Sequence, residues 1–187
     1  MDDVRVLLVP VKAFHVAKLR LAGVLPPVSR SLLARELATR VIRAGKDLPV
    51  SVVCDDHEVA AFAESLGASV IWTPGLGLSG AVEAGVEHLR QAGATIVVVS
   101  HADLPYAEDF GHIGEEGKVT IVPDRFRDGT NVIAVPAGGG FRFSYGPGSF
   151  ERHRAEAARR DLPVVVVEDE RLAADVDLPS DLALIAP

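Results

Sequence analysis

The chain has 187 residues, of which 48% are hydrophobic and 5% aromatic, and its formal charge is -7 at pH 7. This length suits one domain with a full core and leaves little room for a second. The acidic balance argues against broad contact with nucleic acid or anionic membranes, although a local group of bases could still hold a small anion. We therefore expect a single domain over residues 1–187.

Cysteine content and the N-terminal sequence suggest the compartment. Cys54 is the single cysteine, so no internal disulfide can form. The N-terminal MDDVRVLLVPVK begins with acidic residues rather than with the basic start of a signal peptide. No apolar run approaches the roughly 20 residues of a membrane span. We expect a cytoplasmic protein without a membrane partner.

Strands and helices alternate through the first hundred residues, which predicts a mostly parallel sheet with helices on both faces. The predicted strands are apolar runs of the kind found in strands buried on both faces, over residues 4–11, 50–54, 68–72 and 94–100. The predicted helices repeat apolar residues at helical spacing, over residues 29–44, 58–66 and 80–91. Ser29 is expected to cap the first helix.

The alternation loosens after residue 100. Further strands are predicted over residues 118–123, 131–136 and 162–168, a basic helix over 149–160, and a short helix over 178–186. No shift in composition marks a second domain. The fold class predicted from this order is α/β, as one three-layer domain with a mostly parallel sheet.

The stretch TIVPDRFRDGTNVIAVP joins two predicted strands through a charged loop. A minimal hairpin needs only a two-residue turn, so this loop is longer and more polar than the connection requires. A solvated surface loop is the ordinary explanation. The alternative is that its polar groups face a ligand.

Charged residues follow several predicted strands, and in open α/β sheets ligands bind beyond the carboxyl ends of the strands. They are the bases Lys12, Lys18 and Arg20 and the acids Asp103, Asp175 and Asp177. Bases can hold phosphate oxygens, while carboxylates bind a hard cation such as Mg2+ that bridges phosphates. Solvated bases and an Asp103 helix cap are the structural alternatives. The chain lacks the P-loop GxxxxGK[ST] motif, and no dinucleotide GxGxxG motif opens the first helix.

The stretch FSYGPGSFERH places Gly146 and Ser149 directly before a helix. Free backbone N–H groups and the Ser149 hydroxyl are then expected at the positive end of the helix, where an anion binds well. A serine cap without a ligand is the alternative. Together with DGTN on a neighbouring strand, this geometry fits a small phosphorylated acid between two loops.

The motifs VPVK, AKLRLA, ADLP, DGTN, FSYGPGSFERH and DVDLPSD together resemble the CofC/FbiD family, the guanylyltransferases of coenzyme F-420 biosynthesis. The resemblance spans essentially the whole chain, and DGTN with GPGSFxxH is its most specific part. It implies a nucleotidyltransferase fold of the nucleotide-diphospho-sugar transferase or GT-A-like type. It also implies GTP, Mg2+ and a three-carbon phosphoacid as partners.

The resemblance also implies residue roles. The acceptor contacts fall on Thr130, Gly146 and Ser149, and the metal ligands on Asp103 and Asp177, with Asp175 as the alternative to Asp177. For the nucleotide, Lys12 and Lys18 would hold the triphosphate, Arg20 would stabilise the leaving pyrophosphate, and Gly77 and Ser79 would lie in the nucleotide-binding half. His101 is read as a neighbour of the metal acid and His153 as a helix residue near the acceptor.

Two segments depart from the family pattern. The usual KSRLA reads KLRLA here, with Leu19 in place of a serine, and the usual GLNAA reads GLSGA, with Ser79 and Gly80 in place of asparagine and alanine. Both departures lie in the nucleotide half. They leave the base-recognition residues open.

The function predicted from this resemblance is transfer of GMP from GTP to phosphoenolpyruvate, with release of pyrophosphate. Three alternatives stay open: the same chemistry on 2-phospho-L-lactate or 3-phosphoglycerate, a related nucleotidyltransferase using CTP or a sugar phosphate, and a nucleotide-binding regulatory domain without catalysis. Asp103 together with Asp175 and Asp177 argues against the regulatory domain, because a binder has little use for two metal acids. The oligomeric state is open, with a homodimer as one option.

Overall fold

The computed structural model describes residues 4–185, which form a seven-stranded sheet between two layers of helices. The strands are β1 (Arg5–Pro10), β2 (Val50–Cys54), β3 (Ser69–Trp72), β4 (Ile96–Ser100), β5 (Val119–Pro123), β6 (Thr130–Pro136) and β7 (Val164–Val166). They lie in the order β3-β2-β1-β4-β6-β5-β7. Within the described residues only β6 runs antiparallel to its neighbours. The predicted mostly parallel sheet is confirmed.

Two hydrophobic cores lie on opposite faces of the sheet. The helices are α1 (Pro27–Ala44), α2 (His57–Ser65), α3 (Gly77–Gln91), α4 (Ser149–Arg159) and α5 (Glu170–Ala173). Alternate residues of β1 serve the two cores: Leu7 and Val9 pack with α1, α2 and α5, while Val6 and Leu8 pack with α3 and α4. Successive side chains of a strand point to opposite faces, so a continuous apolar run is what a sheet covered on both sides requires.

Two helices begin earlier than the sequence pattern predicts. The first starts at Pro27, with Pro26 as its cap residue, so the prediction of Ser29 as the cap is wrong. Proline suits the first helical position because its φ is already helical and its missing N–H would have no partner there. The third starts at Gly77 rather than near Gly80.

The C-terminal third departs most from the prediction. The strand predicted over 162–168 is ordered as a strand only at Val164–Val166. A short helix that was not predicted, α5, follows, and the Asp169 carboxylate caps it by accepting from the N–H groups of Arg171 and Leu172. The helix predicted over 178–186 is a 3-10 helix, Pro179–Leu184, and residue 186 lies outside the described residues.

Among residues 4–185, no helix combines the length and the apolar character that crossing a bilayer would need.

Candidate active site

A cleft of about 880 Å³ opens at the edge of the sheet where the parallel strands end. Its walls come from residues that follow β1, β2, β3 and β4, and from the loop between β5 and β6. Because β6 runs in the opposite direction, its first residue, Thr130, lies at this same edge. The topology therefore brings loops from both halves of the chain to one site.

Nearly all the predicted site residues line this cleft: Lys12, Lys18, Arg20, Gly77, Asp103, Thr130, Gly146, Ser149, Asp175 and Asp177. Ser79 is not among the residues that line it. The Ser79 hydroxyl accepts a hydrogen bond from the backbone N–H of Tyr145 at 3.1 Å, and Tyr145 does line the cleft. A direct contact of Ser79 with a nucleotide stays a prediction.

Two of the bases are paired with the acids across the cleft. The Lys18 ammonium lies 2.6 Å from Asp103 Oδ2 and 2.6 Å from the carbonyl oxygen of Val176. Its side chain is only 9% exposed, and its backbone is left-handed with φ 55°. Arg20 forms an ion pair with Asp177. In this state, therefore, the bases expected to hold phosphates neutralise the acids expected to hold a metal ion.

The acids differ in their electrostatic surroundings. Burial opposes ionisation of Asp103, but the charge of Lys18, the charge of His101 and the hydrogen bond from Lys18 together hold the pKa of the Asp103 carboxyl below its ordinary value. Burial, together with the negative charge of Asp103, raises the pKa of Asp175 to about 6. The two carboxylates are close enough to repel each other. A cation placed between them would relieve that repulsion.

The donor set suits a hard divalent cation. Asp103 Oδ1 is buried and has no hydrogen-bond partner within the described residues, whereas Oδ2 accepts from Lys18. Asp175 and Asp177 add carboxylate oxygens to the same cleft. No group of three or more metal-binding side chains is already assembled among residues 4–185. Such a site fits Mg2+, which is usually held by one or two carboxylates together with substrate phosphates.

The hydroxyls of Thr130 and Ser149 lie side by side, with oxygens 3.5 Å apart. Both residues are buried, yet both line the cleft. His153, one helical turn after Ser149, places Nδ1 3.0 Å from Thr130 Oγ1. Burial, together with the positive charge of Arg152, lowers the pKa of His153 to about 4, so the ring is neutral at pH 7.

The N-terminus of α4 differs from the expectation of free N–H groups. Gly148, at φ 71°, is the cap residue, and its N–H donates to Asp128 Oδ2 at 3.1 Å. The next two N–H groups, those of Ser149 and Phe150, donate to the carbonyl oxygens of Gly146 and Asp128. The prediction of free donors at this end is therefore wrong for these three groups, because Asp128 of the DGTN motif accepts from two of them and Gly146 accepts from the third.

Many polar groups of the loop between β5 and β6 form hydrogen bonds and ion pairs that hold the loop itself in shape. Asp124 accepts hydrogen bonds from the N–H groups of Phe126, Asp128 and Gly129 at 2.9–3.0 Å. A Cβ at Gly129 would lie 2.7 Å from Asp124 Oδ2, so a side chain there would displace the carboxylate that holds the turn. The arginines of the loop pair with Asp181 and Glu168. A turn of this kind can present Thr130 at the cleft while its other charges hold the loop in shape.

Tyr145, which lines the cleft, carried no clear signal in the sequence, whereas His101 was predicted to neighbour the metal acid. The Tyr145 hydroxyl and His101 Nε2 are buried, line the cleft and lack a partner within the described residues. Asn131, which belongs to the DGTN motif, lines the cleft, but its side-chain amide is bound within the protein. It donates to the carbonyl oxygens of Leu172 and Ala173 and ties β6 to α5. The four-residue spacing of Ser149 and His153 was a detectable signal, because residues so spaced share one face of a helix.

Fold and cleft together define a class: an α/β nucleotidyltransferase with bases, hydroxyls and carboxylates gathered at the end of a parallel sheet. The fold matches the crystal structure of a protein assigned as a nucleotide-diphospho-sugar transferase from Desulfovibrio desulfuricans, with a TM-score of 0.76 and 18% sequence identity. The match covers 98% of this chain and 87% of the other. The predicted fold type is confirmed.

The family model described as "Guanylyl transferase CofC like" matches residues 5–186, and the chain belongs to this family. The phosphoenolpyruvate guanylyltransferase of Rubrobacter xylanophilus is 39% identical to it, over 94% of this chain and 90% of that protein. The 2-phospho-L-lactate guanylyltransferase of Methanocaldococcus jannaschii is 26% identical, over 95% of this chain and 80% of that protein. The predicted resemblance and enzyme class are confirmed.

Proposed function

We propose that the chain transfers GMP from GTP to phosphoenolpyruvate and so forms enolpyruvyl-diphospho-guanosine for coenzyme F-420 biosynthesis. Two facts support this proposal: membership of the guanylyl transferase family, and 39% identity to a phosphoenolpyruvate guanylyltransferase. The observation that carries it is structural. Thr130 and Ser149, two hydroxyls suited to a phosphoacid, share one cleft with Asp103 and Lys18, which are suited to a metal-bound triphosphate.

In the proposed reaction an oxygen of the acceptor phosphate attacks the α-phosphorus of GTP. The bond from that phosphorus to the bridging oxygen of the β-phosphate breaks, and the electron pair leaves with pyrophosphate. The nucleophile is already anionic, so no serine, cysteine or histidine is needed to activate it. The protein's work is therefore to position two anionic substrates and to neutralise their charge.

Residues of the chain divide this work between the two substrates. Lys12, Lys18 and Arg20 would hold the triphosphate and the departing pyrophosphate, with Gly77 on the same side of the cleft. Thr130 and Ser149 would donate to the acceptor, and Gly146, at φ 106°, would let the backbone approach it closely. The ion pairs of Lys18 and Arg20 with the acids must open or be shared when the triphosphate binds.

Asp103 and Asp177 would hold Mg2+, with Asp175 as the alternative to Asp177. When bound, Mg2+ would supply the positive charge that offsets the charge on the phosphates during transfer. The partnerless Oδ1 atom of Asp103 supports this assignment, since a buried carboxylate oxygen without a donor is costly unless a ligand completes it.

The test is incubation of the purified protein with GTP, Mg2+ and one acceptor at a time. Phosphoenolpyruvate, 2-phospho-L-lactate and 3-phosphoglycerate are compared, with pyrophosphate release as the rate and product mass as the identity check. We expect phosphoenolpyruvate to give the highest kcat/KM, and GTP to exceed CTP as donor. Highest activity with 2-phospho-L-lactate would favour the second acceptor. Activity with none, despite GTP binding, would favour a regulatory domain.

A further inference from the structure

The hydrogen bonds of His153 fix which of its ring nitrogens carries a proton. The backbone N–H of Ser144 points at Nε2, at 3.0 Å, and a backbone N–H can only donate. Nε2 must therefore be the acceptor and carry no hydrogen. In the neutral ring the hydrogen then lies on Nδ1, which faces Thr130 Oγ1 at 3.0 Å.

This tautomer determines what the Thr130 hydroxyl can do. A hydroxyl has one hydrogen to donate and two lone pairs to accept with. His153 Nδ1–H donates to one lone pair of the Thr130 oxygen, so Thr130 cannot donate its own hydrogen to His153. The Ser149 oxygen lies 3.5 Å away, beyond an ordinary O–H···O distance, so it does not take up the Thr130 hydrogen. The hydrogen of Thr130 is thereby left for a group in the cleft, which Thr130 lines.

The surroundings of His153 keep this arrangement fixed. The ring is fully buried and has the aromatic rings of Phe141, Phe143 and Tyr145 around it, with centroids 5.1–6.0 Å away. Such packing restricts rotation of the imidazole. The Ser144 contact comes from the segment before the GPGS turn, so one ring contacts both walls of the acceptor site.

We propose that His153 is a positioning residue that holds the Thr130 hydroxyl as a hydrogen-bond donor toward the acceptor's phosphate or carboxylate oxygens. This rests on the proposed function, in that Thr130 is taken to bind the acceptor. His153 itself touches no substrate. It acts by removing the orientations in which the Thr130 hydrogen would point away from the acceptor.

Three substitutions separate this role from simple support of the fold. His153→Asn keeps an N–H donor near the position of Nδ1, His153→Gln keeps an acceptor near the position of Nε2, and His153→Leu keeps neither. Losing the orientation of one donor should raise the acceptor KM about three-fold to ten-fold. We expect that increase in the leucine and glutamine variants, a smaller one in the asparagine variant, and an unchanged KM for GTP in all three.

The opposite order would overturn the proposal. If His153→Gln kept the acceptor KM of the wild type and His153→Asn did not, the contact with Ser144 would be what matters. Melting temperatures measured in parallel identify a variant that has simply lost its fold. Nitrogen-15 NMR of the wild-type histidines, with His153 assigned by its loss in His153→Asn, gives a second readout. We expect a protonated Nδ1 and a bare Nε2, and the reverse tautomer would also overturn the proposal.

Thr130→Val tests the underlying assumption separately. If it left the acceptor KM unchanged, the assignment of Thr130 to the acceptor would be wrong and the role of His153 would fall with it. If Thr130→Val raised the KM while His153→Leu did not, only the positioning role would fail.

Discussion

The two sides of the cleft are built in different ways. The nucleotide side follows the ends of parallel strands and comprises residues 10–20, 54–55 and 73–81. Its main charged groups are the loop side chains of Lys18 and Arg20. The acceptor side, residues 128–131 and 145–149, is anchored by the reversed strand β6 and by α4. Here the polar groups are buried and bonded to one another, as in the set of Thr130, Ser149 and His153.

This difference indicates which side of the cleft already has the geometry that its ligand needs. The acceptor side already has its hydroxyls in place, so binding there needs little rearrangement. On the nucleotide side, Lys18 is held by Asp103 and Arg20 by Asp177, contacts that a metal-bound triphosphate must replace. We infer that the acceptor side is preorganised and that the nucleotide side is completed by its substrate.

The largest expected effect comes from the acid that both sides share. Asp103→Asn keeps the size of the side chain and removes its charge, so we expect turnover at saturating substrates to fall about a thousand-fold or more. Pyrophosphate release measures turnover, and a melting curve checks the fold. Asp177→Asn and Asp175→Asn in the same assay decide the second ligand, and we expect the larger loss from Asp177→Asn. Full wild-type activity in excess EDTA would contradict the metal assignment.

The next effect tests the nucleotide side. Lys18→Met removes an ammonium that is expected to move from Asp103 to the triphosphate, a contact worth about 3 kcal/mol, so we expect KM for GTP to rise about a hundred-fold. Lys18→Arg is the control that keeps the charge. We also expect a lower melting temperature, because the partly buried Asp103 carboxylate loses its counter-charge. An unchanged KM for GTP would mean that Lys18 serves only Asp103.

The sequence predicted most of the first half of this molecule and less of the second. Apolar strands such as residues 50–54 are set by burial on both faces, which periodicity reports directly. The helix α5 could not be foreseen, because four residues are too few for a periodic pattern. The cap of α1 was misplaced because Ser29 looked like a cap residue, while Pro26 and Pro27 determine the start.

The third effect tests the acceptor side. Thr130→Val and Ser149→Ala each remove a hydroxyl that is expected to donate to a charged oxygen, so KM for the acceptor should rise about ten-fold to a hundred-fold. Thr130→Ser keeps the hydroxyl and is the matched control. KM for GTP should stay nearly constant. A Ser149→Ala enzyme that lost GTP affinity and kept acceptor affinity would place this loop on the nucleotide side.

The smallest effect is one of pH on stability and concerns His153. Its pKa in the folded protein is about 4, against an ordinary value of 6.5, so the unfolded chain binds more protons between these values. Stability should therefore fall as the pH drops from 6.5 toward 4, by roughly 2 kcal/mol at pH 5 from this residue. Urea unfolding of the wild type and His153→Asn at pH 7 and pH 5 measures it. The gap between them should shrink at pH 5, and a constant gap would contradict this.

The candidate site could be located from sequence, but its internal bonding could not. The sequence places Asp103 and Thr130 next to strand ends, and the topology of an α/β sheet brings the loops at those ends together. Both residues line the cleft in the structure. The pairing of Lys18 with Asp103 joins residues 85 positions apart, and the left-handed backbone at Lys18 is not a feature that hydrophobic periodicity reports. Likewise, a helix start before Ser149 predicted free N–H groups, and only the structure reveals that Asp128 accepts from two of them.

The two edge strands of the sheet limit how two copies of this protein can associate. At one edge lies β3 with four residues and at the other β7 with three, so each offers only a short row of backbone groups for pairing. Long, exposed edge strands are what allow sheets of separate molecules to join and aggregate. Short edges of this kind disfavour continuous pairing from one molecule to the next. If the protein forms a homodimer, we expect the contact to use helix or loop surfaces rather than a shared sheet.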